Sequence, residues 1–108
     1  MNKKIFNKLV RDKIPEVIEG TGDKPFCRIL TKEENLIELN KKLTEEVKEY
    51  LDSSEIEELA DIVEVVYGIL NAKNITIEQF EEVRKAKAQV RGGFEKGIFL
   101  EYTLSDKN

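Results

Sequence analysis

The 108-residue sequence contains no histidine and one cysteine, Cys27, and its hydrophobic segments are broken by charge every few residues. Without histidine, the Cys/His zinc sites and histidine-assisted nucleophilic mechanisms cannot be built from this chain. A lone cysteine cannot close an internal disulfide. The opening MNKKIFNKLVRDK lacks the apolar core of a signal peptide or of a membrane span, so a cytoplasmic protein with no membrane association is expected. Basic excess is missing too. With 22 acids against 18 bases the net charge is −4, which disfavours general attraction to nucleic acid or to an anionic membrane surface but leaves room for a local basic cluster to bind a small phosphate compound.

What remains for chemistry is carboxylates, Lys/Arg and hydroxyls. Any metal should therefore be a hard, oxygen-seeking cation such as Mg²⁺ or Mn²⁺. The length fits a single domain spanning residues 1–108, and 40% hydrophobic residues suffice for a modest core.

Three helix starts share one device, a hydroxyl N-cap followed three residues later by Glu or Gln: Thr31 with Glu34, Ser54 with Glu57, and Thr76 with Gln79. They predict helices over 32–51, 55–71 and 77–91, ending at Asp52-Ser53, at 71–74 and at Gly92-Gly93. Ahead of them, Pro15 can open a short helical turn through Val17 and Ile18 that Gly20-Thr21-Gly22 stops. FCRIL (26–30) and GIFLEYTL (97–104) carry β-branched and aromatic residues between breakers, the pattern of two short strands able to pair with each other. The SDKN end reads as frayed.

Within KLTEEVKEYLDSSEIEELADIVEVV (42–66) lie two acidic pairs spaced i,i+3: Glu46 with Glu49, and Glu58 with Asp61. Most helical acids are solvated surface. Wheel position argues otherwise here. Leu36, Leu39, Leu43, Val47 and Tyr50 form one apolar stripe with Glu46 at its edge, Glu49 further round and Glu45 nearly opposite. On the following helix, apolar residues from Ile56 to Leu70 cover more than half the wheel, and Glu58 falls inside that arc between the directions of Val65 and Ile69, with Asp61 beside it. A carboxylate placed there loses hydration and faces other acids, which raises its pKa or demands a counter-charge. The helix macrodipole accounts for acids in the first turn but not for Asp61. Four carboxylates converging from two antiparallel helices would supply the oxygen ligands of Mg²⁺.

The third long helix carries the opposite sign. Arg84, Lys87 and Arg91 line one side of a face shared by Phe80, Val83 and Val90. Snorkelling stems and the preference of cations for a helix C-terminus explain this as well as phosphate binding does. Lys8, Arg11 and Lys13 in the N-terminal segment are further cationic candidates, with ordinary solvated charge as the alternative. The aromatics, Phe6, Phe26, Tyr50, Tyr67, Phe80, Phe94, Phe99 and Tyr102, read as core rather than as stacking platforms, with Phe94 in its glycine-flanked loop the exception.

Glu46-x-x-Glu49 followed by Glu58-Leu-Ala-Asp61, together with the opening NKLVRDKIPE (7–16) and the closing KAKAQVRGGFEKGIFLE (85–101), resembles the MazG-like all-α nucleoside triphosphate pyrophosphohydrolases, a family that includes phosphoribosyl-ATP pyrophosphohydrolase. The resemblance covers most of the chain. It implies an all-α antiparallel helical bundle of the MazG-like type, here with a short N-terminal helix and the two terminal strands. It implies hydrolysis of a nucleotide between the α and β phosphates to a monophosphate and pyrophosphate, with Mg²⁺ held by Glu46, Glu49, Glu58 and Asp61. It also implies an active site completed by self-association into a dimer or tetramer. The segment between the acidic pairs, YLDSSEIE, is short for the family, which bears on the size of the substrate pocket. On this reading the ion neutralises phosphate charge and helps acidify an attacking water. Glu49, furthest from the core of the four, is the candidate base. Lys87 and Arg91, with Arg84, would steady the leaving pyrophosphate, and Lys8, Arg11 and Lys13 are second candidates for that work. The arc of apolar residues on the second hairpin helix is wider than one neighbour can cover, which independently predicts a helical partner surface. The competing class is a helical binding or regulatory module without turnover.

Overall fold

The computed structural model describes residues 2–106, so the last two residues of the SDKN end, expected to fray, lie outside the described residues. Among the described residues there are four helices: α1 (Ile14–Gly20), α2 (Lys32–Ser53), α3 (Ile56–Ala72) and α4 (Ile77–Arg91). The chain divides into two compact units, Met1–Ile77 and Glu78–Asn108.

In the first unit, Pro15 sits at the start of α1, where its missing N–H costs nothing. The N-terminus of α2 carries the expected capping box: Thr31 Oγ1 accepts from the Glu34 N–H at 3.1 Å while Glu34 Oε1 accepts from the Thr31 N–H at 3.0 Å. The turn into α3 differs from the expected one. Ser54 is not an N-cap but the residue that ends α2, in the left-handed conformation (φ 58°), with its N–H donating to Tyr50 O at 2.7 Å. Glu55 then takes the N-cap position of α3 without a side-chain cap, and Ser53 Oγ accepts from the Glu55 N–H at 3.2 Å. A residue committed to terminating one helix lacks the extended backbone that capping the next requires.

Two residues therefore separate α2 from α3, and the pair forms an antiparallel hairpin. The register follows from three points of contact. Lys32 Nζ reaches Asn74 Oδ1 at 3.2 Å, Leu39 lies against Gly68, and Glu46 meets Glu58 and Asp61, so one helix ascends in number as the other descends. Gly68 permits the close approach: a Cβ at that position would stand 2.9 Å from Leu39 Cδ2. Leu39, Val65 and Leu70 are buried, with Leu36, Leu43, Tyr50, Ile62, Val66 and Ile69 half-buried around them. Asn74, also left-handed (φ 58°), turns the chain after α3, and the Ile75 N–H closes onto Leu70 O at 2.9 Å.

The second unit is built on α4, whose end comes where the glycine pair predicts it. Gly92 adopts φ 81°, and its N–H donates to Ala88 O at 2.7 Å. The two expected strands do not form: 26–30 and 97–104 are without strand structure, and no strand occurs among the described residues. Branched and aromatic residues favour a pleated surface only when a neighbouring strand and a covered face are supplied. Phe26, Ile29, Phe99 and Leu104 are instead exposed. The aromatics expected in the core depart from that expectation in part: Tyr50 and Phe80 are half-buried, whereas Phe6, Phe26, Tyr67, Phe99 and Tyr102 are exposed, as is Phe94, the expected exception.

Candidate metal centre

The first acid of the hairpin owes its position to the apolar stripe of α2. Glu46 is seven residues on from Leu39, two helical turns along the same face, and it is 8% exposed. Glu45, one residue earlier, points out to solvent. From α3, Glu58 and Asp61 lie on the face that also carries Val65, and both are half-buried. One carboxylate oxygen from each of Glu46, Glu58 and Asp61 lies within 4.8 Å of the other two, about the width of the coordination sphere of a single hard divalent ion.

Glu46 Oε2 and Glu58 Oε2 are inaccessible to solvent and have no hydrogen-bond partner. A buried oxygen of this kind is costly unless protonated, donated to or bound to a cation. Burial is the main cause that pushes the Glu46 carboxyl above its ordinary value, followed by its hydrogen bonding with Glu49 and by the charges of Glu49 and Asp61; Lys42 opposes them. The Glu58 carboxyl is pushed up by the same principal cause, then by Glu49, Asp61 and Glu46. Carboxylates sharing a poorly hydrated crevice hold protons more tightly. A divalent cation would relieve both the burial and the repulsion, so the donor set fits Mg²⁺ or Mn²⁺.

Glu49 is the exposed member of the four, one turn beyond Glu46 and close enough to influence both Glu46 and Glu58 without joining the three convergent oxygens. Two cations border the cluster. Arg11 donates from Nη2 to Asp61 Oδ1 at 2.6 Å, and the half-buried Lys42 lies 3.7 Å from Glu46 Oε1. Lys42 is the residue that reasoning from sequence missed. Its signal was available in the i,i+4 spacing to Glu46, which places the two on one face of α2.

The other sequence candidates are distributed more widely. Lys8 borders a cavity of about 200 Å³ with Lys41, Lys42, Glu38 and Glu45, and its Nζ lies 5.7 Å from the centre of the Phe6 ring. Lys13 precedes α1, exposed, with its carbonyl accepting from the Val17 N–H at 3.1 Å. In the second unit, the Arg84 guanidinium is held by Glu81 on its own helix through contacts of 2.8 to 3.1 Å. Lys87 and Arg91 are exposed on α4. No helix of the described residues is long and apolar enough to cross a membrane. Compared with protein-family models, with curated proteins and with solved structures, the chain matches none.

Proposed function

We propose that the protein is a Mg²⁺- or Mn²⁺-dependent nucleotide pyrophosphohydrolase of the MazG-like type, cleaving between the α and β phosphates to release a monophosphate and pyrophosphate. The observation that carries this reading is the Glu46 carboxylate, buried with an unpartnered oxygen and facing Glu58 and Asp61 across the hairpin. An acid kept in that position lowers stability unless it is protonated or a cation uses it, and three converging carboxylates suit a divalent one.

When bound, the ion would neutralise phosphate charge and acidify the attacking water. Glu46, Glu58 and Asp61 would hold it. Glu49, exposed and beside the three, would accept the proton of the water, since an acid reached by solvent can pass that proton on. Arg11 and Lys8 are the first unit's proposed phosphate contacts.

Self-association belongs to the same proposal. Ile56, Leu59, Val63 and Tyr67 recur at intervals of three and four residues along α3 and are 74%, 43%, 47% and 37% exposed, an apolar stripe fitted to a second helical surface.

The test is pyrophosphate release from a panel of nucleoside triphosphates with and without Mg²⁺. Mg²⁺-dependent product is expected, and the Glu58→Gln/Asp61→Asn double variant should lose it by about 100-fold or more, given what metal-ion charge stabilisation supplies. Absence of product across the panel, or equal product from the double variant, would leave a helical binding or regulatory module without turnover.

A further inference from the structure

Arg11 stands just before the turn that opens α1, and its backbone is tied there by the Ile14 N–H donating to its carbonyl at 3.0 Å. Its side chain spans fifty residues of sequence to reach Asp61 Oδ1 at 2.6 Å. Asp61 is one of the three convergent acids, while the unpartnered oxygens of Glu46 and Glu58 receive no donor. Arg11 thus neutralises the Asp61 edge and Lys42 borders Glu46 Oε1, while the inner oxygens Glu46 Oε2 and Glu58 Oε2 have no counter-charge bonded to them.

Two features make this contact exchangeable. Arg11 and Asp61 keep 53% and 38% of their side chains exposed, and water competes for both partners of such a pair, so its net strength is small. Guanidinium also presents a planar fork suited to two oxygens at once, yet its ion pair with Asp61 is a single contact from Nη2. A divalent ion arriving beside Asp61 would repel the guanidinium, and a phosphate group bound to that ion would attract it.

Resting on the divalent-cation reading of Glu46, Glu58 and Asp61, we propose that Arg11 is an exchangeable counter-ion that occupies Asp61 when the acids hold no metal, gives way as the ion enters, and then binds phosphate oxygens of the incoming ligand. Such a residue acts with opposite signs on two affinities. It opposes the bare ion and favours the ion with its anion, whereas a merely structural residue would weaken both or neither.

Isothermal titration of the full chain with Mn²⁺ alone, and with inorganic pyrophosphate in saturating Mg²⁺, separates these cases. The Arg11→Gln variant, checked by circular dichroism for unchanged helix content, should bind Mn²⁺ about two- to five-fold more tightly, the size of an exposed ion pair released. The same variant should bind magnesium pyrophosphate about ten-fold or more weakly, the loss of a hydrogen bond to a charged group. The Arg11→Lys variant, which keeps the charge without the fork, should recover part of the pyrophosphate affinity. Mn²⁺ affinity that Arg11→Gln leaves equal or lowers, or pyrophosphate affinity that it leaves unchanged, would overturn the exchange while the metal reading stands. Failure of both proteins to bind Mn²⁺ would overturn the metal reading and the exchange together.

Discussion

Glu45 and Glu46 are chemically identical neighbours with opposite surroundings, and 100° of helical rotation makes the difference. The apolar stripe of α2 carries Glu46 inward with Leu39 and Leu43, so this distinction was legible from spacing alone. Asp61's partner was not. The Arg11 contact joins the segment before α1 to α3 across two helices and their connections, and no local periodicity encodes it. A pH prediction follows at this scale. Glu46 and Glu58 have folded values raised above the ordinary 4.5, so they bind protons more tightly in the folded state and subtract stability as pH climbs from about 4.5 through those higher values. Glu34 and Glu81, lowered by Thr31 and by Arg84 respectively, act in reverse: their contribution is present above 4.5 and is lost as pH falls through their folded values. Comparing wild type with Glu46→Gln/Glu58→Gln cancels the second pair. In chelator, urea midpoints of the double variant should gain on wild type as pH rises above about 4.5, and parallel midpoint curves would contradict the burial of these acids.

At the scale of elements, the hairpin of α2 and α3 organises the candidate site. Its helix lengths, its Thr31 capping box and its short connection were readable, because hydrophobic period, N-caps and breakers are local signals. The connection itself was misread: Ser54 has the side chain of an N-cap, but the need to stop α2 in a left-handed residue prevailed. Ser54→Gly should therefore raise stability by about 0.5–1 kcal/mol, since glycine adopts that backbone without the side-chain clash. A Ser54→Gly protein no more stable in urea would argue against the left-handed turn. Leu39→Ala should cost about 2–3 kcal/mol, because so few side chains are buried that each carries a large share of the core, and it should also loosen the contact with Gly68. The absent strands show the limit of local reading. Segments 26–30 and 97–104 have the composition of strands, but a ladder depends on a partner that composition cannot specify.

At the scale of the whole molecule, the breadth of the apolar arc on α3 becomes decisive. α2 covers the side bearing Val65, and Ile56, Leu59, Val63 and Tyr67 on the same helix are exposed. Light scattering coupled to size exclusion at micromolar concentration should find a dimer or larger assembly, and Val63→Glu, which puts a charge in the stripe, should shift it toward monomer. A wild type that elutes only as monomer would contradict a helical partner surface. The measurement that tests the central claim most directly is a thermal melt across a Mg²⁺ titration. An ion held by Glu46, Glu58 and Asp61 binds the folded chain and not the unfolded one, so Mg²⁺ at ten times its dissociation constant should add about 1.4 kcal/mol, or roughly 5–10 °C. The Glu58→Gln/Asp61→Asn protein should show no such rise. A wild-type melting temperature unmoved by millimolar Mg²⁺, or a rise that the double variant keeps in full, would contradict the claim.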